Sequence, residues 1–151
     1  MEKFKDLKNK VILISGATGL IGNNLIKEYL NHEAEVYGID IDRKKINFQL
    51  NEFKKKFPRS KISLLKCDIT KENEVKKIIK HILNKSKKID TLINNAATKT
   101  KKLKNFFKSF QDFNLSDWKK IMDVNVNGAF LLSREVSKAM IRKKSGNIIS
   151  I

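Results

Sequence analysis

Short apolar runs along the chain alternate with longer stretches in which apolar and polar residues mix. The first run, Val-Ile-Leu-Ile at residues 11–14, has no polar position and leads directly into a glycine-rich turn. A continuous apolar run of this length predicts a strand that is buried on both faces of a parallel sheet. Five strands are predicted along the chain, at residues 11–14, 35–40, 61–67, 89–94 and 147–151.

The longer stretches between these runs have the periodicity of amphipathic helices. Between residues 43 and 57, large apolar residues recur at helical spacing and share one face: Ile46, Leu50, Phe53 and Phe57. A helix is also predicted at residues 20–31. Thr70 is the expected cap of a third helix, and Ser116 is the expected cap of a long helix that ends near Arg142.

Alternating strands and helices predict parallel βαβ units with right-handed crossovers. The expected fold is therefore α/β, with a doubly wound parallel sheet that is truncated after the fifth strand. The last printed residues lie within this strand, which would leave a sheet edge with one face uncovered. We therefore expect residues 1–151 to form one domain that is incomplete at its carboxyl end, as the N-terminal part of a longer protein.

A glycine-rich turn joins the first predicted strand to the first predicted helix. Glycine in this place permits a tight turn, a close approach of the backbone to a pyrophosphate, and close packing of helix on strand. The free N–H groups of the following helix also favour phosphate. The segment predicts a Rossmann-like NAD(P) site, the alternative being a structural turn that binds no ligand. Its candidate residues are Gly16, Thr18, Gly19, Leu20, Ile21 and Gly22.

Asp40 ends the second predicted strand. A carboxylate there accepts hydrogen bonds from an adenosine ribose and repels a 2′-phosphate, which favours NAD(H). Arg43 and Lys44 lie just downstream and suit a 2′-phosphate, so NADP(H) is the alternative. Asp42 is interpreted as a helix cap.

The third and fourth predicted strands also end in candidate site residues. Asp68 can meet an adenine amino group while Ile69 packs on the ring, and the alternative for Asp68 is a simple turn aspartate. Two Asn side chains can bridge neighbouring strand ends, and small residues let a cofactor lie close. The fourth strand closes with Asn94, Asn95, Ala96 and Ala97.

In this order and with these separations, the motifs resemble those of the short-chain dehydrogenase/reductase family. Its classical branch ends the fourth strand in Asn-Asn-Ala-Gly, and Ala97 replaces that Gly here. Asn125 falls where the family has its structural and proton-relay Asn, and residues 146–151 match the start of its fifth-strand motif. The resemblance implies an NAD(P)-dependent oxidoreductase that moves hydride between nicotinamide and an alcohol or ketone carbon.

Two departures from the family leave alternatives open. The spacing of Gly16, Gly19 and Gly22 is that of the extended branch, which contains nucleotide-sugar epimerases and dehydratases. The family's catalytic Ser and Tyr-x-x-x-Lys are absent, because neither Tyr29 nor Tyr37 has Lys four residues later. We therefore expect the chain alone to be inactive, and a non-catalytic dinucleotide-binding module is a further alternative.

The formal net charge is +17, but lysines are spread over every predicted helix and arginines are few. This pattern predicts no specific nucleic-acid partner. Four lysines follow the fourth strand: Lys99, Lys101, Lys102 and Lys104. Because this loop borders the substrate pocket in the family, the resemblance favours a small-molecule substrate such as a sugar or an acidic or phosphorylated compound. The resemblance also implies a homo-oligomer.

The single Cys excludes an internal disulfide framework and a Cys-based zinc site, and we predict no metal site. Cys67 is expected to be buried, whereas His32 and His81 are expected at the surface. No apolar run near the amino terminus suits a membrane span or a signal peptide. These features predict a cytoplasmic protein with no membrane partner.

Overall fold

The computed structural model describes residues 4–100 and 103–151, which build a five-stranded parallel sheet. The spatial order is β3-β2-β1-β4-β5, and helices cover both faces, so the predicted α/β doubly wound sheet is confirmed. Each predicted strand is present, with bounds that differ by a few residues. The strands are β1 (Val11–Ser15), β2 (Glu35–Asp40), β3 (Ile62–Lys66), β4 (Thr91–Asn94) and β5 (Asn147–Ser150).

The order of the strands creates a switch point between β1 and β4. From β1 the chain builds outward through β2 and β3, then returns to place β4 on the other side of β1. Ligands bind at the carboxyl ends of the strands where the order reverses. At the far edge, β5 pairs with β4, and all four of its residues are exposed.

The helices alternate with the strands as predicted, except that the long helix is not uniform. Its middle, Asp123–Gly128, is π-helical and joins two α-helices. No helix within the described residues is long and apolar enough to cross a membrane. The α-helices are α1 (Leu20–Asn31), α2 (Arg43–Lys56), α3 (Glu72–Ser86), α4 (Leu103–Phe106), α5 (Leu115–Met122) and α6 (Ala129–Lys143).

Alternate residues of β1 fill two separate core layers. Leu13 packs in the layer beneath α3 and α6, whereas Ile12 and Ile14 pack in the layer beneath α1 and α2. All three are 1% exposed or less. Burial of one such side chain stabilises the fold by roughly 1.5–3 kcal/mol. β1 is therefore the central strand that holds the glycine turn in place.

Two predicted helix caps are wrong. The cap position of α3 is Lys71, because the Thr70 hydroxyl donates to the Asp68 carboxylate at 2.7 Å instead. Asn114 caps α5, since its Oδ1 accepts from the N–H of Ser116 at 2.8 Å. Ser116 therefore lies in the first turn. At α5 a neighbouring amide oxygen replaces the predicted hydroxyl as the cap, whereas at α3 the predicted hydroxyl is bonded to Asp68 and no side chain caps the helix.

His32 is 3% exposed, so its predicted surface location is wrong. Its Nδ1 accepts from the N–H of Phe4 at 3.1 Å, and its Nε2 lies 3.0 Å from the carboxylate of Glu28. The Phe4 ring meets the imidazole edge-on, with ring centroids 5.0 Å apart. The residue that covers His32 is distant in sequence, which local pattern cannot reveal. His81 is exposed and Cys67 is buried, as predicted.

Candidate functional site

A crevice opens at the carboxyl ends of β1, β2, β3 and β4. It lies where ligands bind to open α/β sheets. Further residues of its lining, Ile41, Lys45 and Thr98, were not among the sequence candidates. Eight residues that the sequence singled out line it: Gly16, Thr18, Gly19, Asp40, Asp68, Ile69, Ala96 and Ala97.

The three glycines of the turn serve different needs. Gly16 has φ +65°, and a Cβ there would lie 2.8 Å from the Cα of Ala96. A Cβ on Gly22 would overlap the carbonyl oxygen of Gly16, so this glycine lets α1 pack against the turn. Gly19 has φ −74°, and a Cβ there would meet only the Gly16 oxygen, at 3.3 Å. The fold requires Gly16 and Gly22, whereas Gly19 keeps the outer surface of the turn bare.

The start of α1 suits an anion. Gly19 occupies the cap position without a side-chain cap, and the first turn holds no acidic residue. The first N–H groups of the helix therefore keep their hydrogen-bonding capacity and a partial positive charge. Leu20 and Ile21 are 83% and 51% exposed and lie outside the crevice lining.

Asp40 organises the turn as well as facing the crevice. Its Oδ2 accepts from the N–H of Thr18 at 3.0 Å, and its Oδ1 accepts from the N–H of Asp42 at 3.2 Å. A carboxylate has about four lone-pair sites, so it can accept further bonds. Asp42 caps α2 through the N–H of Lys45, as its interpretation stated.

The basic residue at the crevice is not one that the sequence suggested. Lys45 belongs to the lining, whereas Arg43 and Lys44 are exposed and outside it. The cap at Asp42 fixes where α2 begins, and this sets which residue of its first turn faces the crevice.

Asp68 and Ile69 are held by the protein itself. Asp68 Oδ1 accepts from the N–H of Thr70 at 3.0 Å as well as from the Thr70 hydroxyl. Ile69 is 7% exposed and packs against Gly128, where a Cβ would lie 2.6 Å from the Ile69 side chain. Most of the Ile69 side chain therefore belongs to the core, and only its edge reaches the crevice.

The two adjacent Asn side chains point in opposite directions. Asn95 Nδ2 donates to the carbonyl oxygens of Ser15 and Gly16 at 3.0 and 3.1 Å, which bridges β4 to β1. Asn94 Nδ2 instead donates to Ser133 Oγ on α6 at 3.0 Å, and Asn94 does not line the crevice. Asn94 therefore supports α6 from the sheet.

Ser15 is a residue of the site that the sequence reasoning missed. It is 1% exposed, and its Oγ accepts from the N–H groups of Asn95 and Ala96, each at 3.1 Å. The hydroxyl thus fixes the backbone that follows β4 against the glycine turn. A hydroxyl directly after four buried apolar residues was the available signal.

Asn125 lies within the π-helical segment and holds the other wall of the crevice. Its Oδ1 accepts from the N–H of Thr98 at 2.8 Å, and its Nδ2 donates to the Thr98 carbonyl at 3.3 Å. π-Helical turns are frequent at functional sites. This pair of bonds ties the segment after β4 to the helical layer.

The charges at the crevice are unevenly compensated. Among the described residues, neither Asp40 nor Asp68 has an ion-pair partner.

Cys67 also lines the crevice. Burial, followed by the charges of Glu74 and Asp68, raises the pKa of the Cys67 thiol to about 12. Cys67 therefore stays protonated and is a poor nucleophile.

The lysine-rich segment contributes little to the described crevice. Lys99 and Lys104 are exposed, whereas Lys101 and Lys102 lie outside the described residues. Phe107 and Phe110 are 74% and 91% exposed and lie away from the crevice lining. The described walls therefore combine backbone and small side chains with branched apolar residues, two carboxylates and Lys45.

Comparison with known proteins gives one family throughout the chain. The sequence model described as short chain dehydrogenase matches residues 10–151. Zerumbone synthase of Zingiber zerumbet is 28% identical over 145 residues, which are 96% of this chain and 52% of that protein. The mitochondrial borneol dehydrogenase of Lavandula x intermedia is 32% identical over 145 residues, or 95% of this chain and 51% of that protein.

Solved structures agree with this assignment. NAD⁺-bound xylitol dehydrogenase superposes with a TM-score of 0.87 at 27% identity, covering 97% of this chain and 54% of its own. Levodione reductase superposes at 0.84 with 19% identity, over 95% of this chain and 54% of its own, and shares the fold. The chain spans about half the length of these proteins. With the family model matched from the start of β1 to the end of the chain, this protein belongs to the short-chain dehydrogenase family.

Proposed function

We propose that this chain forms the cofactor-binding part of an NAD(P)-dependent oxidoreductase, which moves hydride between nicotinamide and an alcohol or ketone carbon of a small molecule. The observation that carries the proposal is the bare glycine turn, which lines one crevice together with Asp40 at the switch point of the sheet. The similarity to an NAD⁺-bound xylitol dehydrogenase supports the same cofactor class.

The residues of the crevice fit a dinucleotide. The uncapped start of α1 can bind the pyrophosphate, and Gly19 adds no side chain that would block the approach. The free lone pairs of Asp40 suit the hydroxyls of an adenosine ribose. Ile41 is 61% exposed in the crevice, and it offers an apolar surface for adenine beside Asp68 and the edge of Ile69. When bound, the nicotinamide ring supplies the hydride donor or acceptor.

The residues around the reacting end have supporting roles in this proposal. Ala96 and Ala97 let the cofactor lie against the backbone after β4, which Ser15 and Asn95 hold in position. Asn125 is proposed to act as the structural and proton-relay Asn, and its clamp on Thr98 supports the structural part of that role. The printed sequence lacks a Tyr-x-x-x-Lys, so we propose that this chain alone does not catalyse hydride transfer.

NAD(H) is the proposed cofactor, and NADP(H) is the alternative. Asp40 would repel a 2′-phosphate, whereas Lys45 at the same crevice would attract one. Calorimetric titration of the 151-residue chain with NAD⁺ and NADP⁺ tests this balance. We expect tighter binding of NAD⁺, and a ratio of the two Kd values that moves toward NADP⁺ by about tenfold in Asp40→Ser, in line with roughly 1–2 kcal/mol for a close charge pair.

The control for that titration is Glu52→Gln, which removes one carboxylate from an exposed ion pair on α2 outside the crevice. It should leave both Kd values within about twofold. Preference of the unmodified chain for NADP⁺ would assign the dominant charge to Lys45 and refute the Asp40 assignment. Absence of binding by either dinucleotide would refute the proposed cofactor function itself.

The substrate and the assembly of the whole protein are further proposals. Exposed Lys99 follows Thr98 of the crevice, which supports an acidic, phosphorylated or sugar-like substrate.

Phe130 and Ile141 are 58% and 73% exposed on α6, which supports association of subunits through this helix. A cytoplasmic location is supported by a composition with one Cys.

One observation favours a second activity. Gly16, Gly19 and Gly22 have the spacing of the extended branch, so a nucleotide-sugar epimerase or dehydratase is the second candidate. The two reactions are distinguished by assaying the whole protein for net change in NADH absorbance. An oxidoreductase consumes or releases NADH with its substrate, whereas an epimerase returns the hydride and shows no net change.

A further inference from the structure

Thr18, in the middle of the glycine turn, is held at both of its backbone polar groups. Its N–H donates to Asp40 Oδ2 at 3.0 Å, from the end of β2. Its carbonyl oxygen accepts from Gln49 Nε2 at 3.1 Å, from the second turn of α2. The turn is therefore fixed from the crevice side by a carboxylate and from the helical side by an amide.

The bond from Gln49 also sets the direction of the next peptide group. The carbonyl of Thr18 and the N–H of Gly19 belong to the same planar peptide. Its oxygen is bound by Gln49, and its N–H donates to the carbonyl of Gly16 at 3.1 Å. With both ends of the plane bonded, the path of the chain into the start of α1 is fixed before any ligand binds.

The amide of Gln49 is satisfied on one side only. Its Oε1 is buried and has no hydrogen-bond partner within the described residues. A buried acceptor without a partner is destabilising, and an apolar side chain of the same length would avoid that cost. The stabilising benefit of this side chain is thus limited to its N–H donor, which is directed at the turn.

We propose that Gln49 is a positioning residue for dinucleotide binding, acting through the Thr18 carbonyl. The proposal rests on the proposed cofactor function. Gln49 contributes no group to the crevice lining and lies in the groove between α1 and α2, behind the turn. Its effect on the ligand is therefore indirect: it keeps the Thr18–Gly19 peptide in the orientation that leaves the start of α1 open to a pyrophosphate.

The decisive variant is Gln49→Met, which is similar in length and lacks both the donor and the unpaired oxygen. The thermal midpoint should stay within a few degrees of the wild type, because a lost hydrogen bond is offset by removal of the unpaired acceptor. The Kd for NAD⁺ should rise by about 3- to 10-fold, the size expected from one positioning hydrogen bond. An unchanged Kd would overturn the proposal.

Gln49→Glu adds a readout that a purely structural role would not produce. At neutral pH the ionised carboxylate of this variant can only accept hydrogen bonds, so its oxygen would repel the Thr18 carbonyl oxygen. The Kd for NAD⁺ should therefore rise more than tenfold. As the pH is lowered toward about 5, the carboxyl group begins to protonate and can donate again, so the loss should shrink. The matched control is Asn51→Asp, which adds the same charge at an exposed position of α2 and should stay within twofold of wild type.

Hydrogen exchange of the Gly19 amide in the ligand-free chain separates this proposal from the cofactor proposal, because this N–H belongs to the same peptide as the Thr18 carbonyl. Loss of the Gln49 bond should speed that exchange by about 2- to 10-fold in Gln49→Met, whatever ligand the crevice takes. Equal exchange rates in the variant and wild type would overturn the positioning role. A wild-type chain that fails to bind NAD⁺ while this difference persists would refute the cofactor proposal, and with it the role in dinucleotide binding, but would leave the bond from Gln49 as a restraint on the turn.

Discussion

At the amino ends of the strands, Asp90 is paired with two lysines, whereas at the carboxyl ends Asp40 and Asp68 have no cationic partner among the described residues. Asp90 is 6% exposed, and it accepts from Lys143 at 2.6 Å, from Lys88 at 2.8 Å and from the N–H of Val11 at 2.8 Å. The carboxylate at the amino ends of the strands is thus paired and hydrogen-bonded within the fold. The carboxylates at the carboxyl ends keep lone pairs that can accept hydrogen bonds from a ligand.

The pKa of Asp90 reflects this difference. Burial by itself would raise the pKa of this carboxyl, but the hydrogen bonds from Lys143, Lys88 and Val11 outweigh it and lower the pKa to about 2. The amino edge also contains Tyr37, whose hydroxyl bonds Glu35 and Ser86, and buried His32 with partners on both nitrogens. Polar groups at this edge therefore stabilise the sheet, and those at the other edge shape a binding site.

The largest effect is expected within the glycine turn. Gly16→Ala places a Cβ at φ +65° and 2.8 Å from the Ala96 backbone, so it should lower the free energy of unfolding by about 2–4 kcal/mol and abolish NAD⁺ binding. Gly19→Ala, at an ordinary φ, should change stability by less than about 1 kcal/mol but still weaken NAD⁺ binding. Urea unfolding and calorimetric titration measure both quantities. Equal effects of the two substitutions on stability would break the distinction between them.

Asp90→Asn should have the next largest effect, and on stability alone. The lowered pKa of Asp90 corresponds to about 2 kcal/mol at neutral pH, which the variant should lose. Because the folded pKa lies below the unfolded one, this contribution is complete above about pH 5 and disappears as the pH falls toward 2. Urea unfolding across that range should therefore show the wild type and the variant converging in acid.

The same variant sharpens the comparison between the two edges. Its Kd for NAD⁺, measured at a temperature where it is folded, should equal that of the wild type, since Asp90 lies at the opposite edge from the crevice. Glu52→Gln is the control for stability, because its pair with Lys55 is exposed and should contribute less than about 1 kcal/mol. A large change in Kd for Asp90→Asn would show that the two edges are not independent.

Tyr37→Phe should have the smallest effect. The substitution removes a buried hydroxyl that lies 3.0 Å from Glu35 Oε1 and 2.8 Å from Ser86 Oγ. Those two partners can still bond each other, so the expected loss is about 1 kcal/mol of unfolding free energy with no change in NAD⁺ affinity. Thermal unfolding measures the loss, and an increase in stability would contradict the conclusion that polar groups at the amino ends of the strands stabilise the sheet.

The sequence predicted the strands and their order of succession well, because short runs rich in apolar residues alternate with longer stretches of helical periodicity. It did not predict the interruption of the long helix, since a π-helical turn leaves the apolar spacing almost unchanged. It also placed His32 at the surface, because the contact that buries it comes from Phe4. Burial that depends on a distant segment has no local signature.

The site was predicted at the level of motifs rather than of contacts. Gly16, Asp40 and Asp68 were found because turn glycines and acidic strand ends are visible in the sequence. The sequence suggested Arg43 and Lys44 rather than Lys45, because the position of the helix cap decides which residue of the first turn faces the crevice. Gln49 gave no signal, since a polar residue on an amphipathic helix is expected to face solvent.

Hydrogen exchange of the whole chain, with and without saturating NAD⁺, tests most directly whether the carboxyl edge is the binding edge. We predict slower exchange of the backbone amides at residues 16, 18–19, 40–41, 68–69 and 96–98, which contribute to the crevice. The amides of Val11, Asp90 and Asn147, which are bonded at the opposite edge, should exchange at the same rate in both states. Protection centred on the amino edge, or no protection at any crevice amide at saturating NAD⁺, would contradict the account.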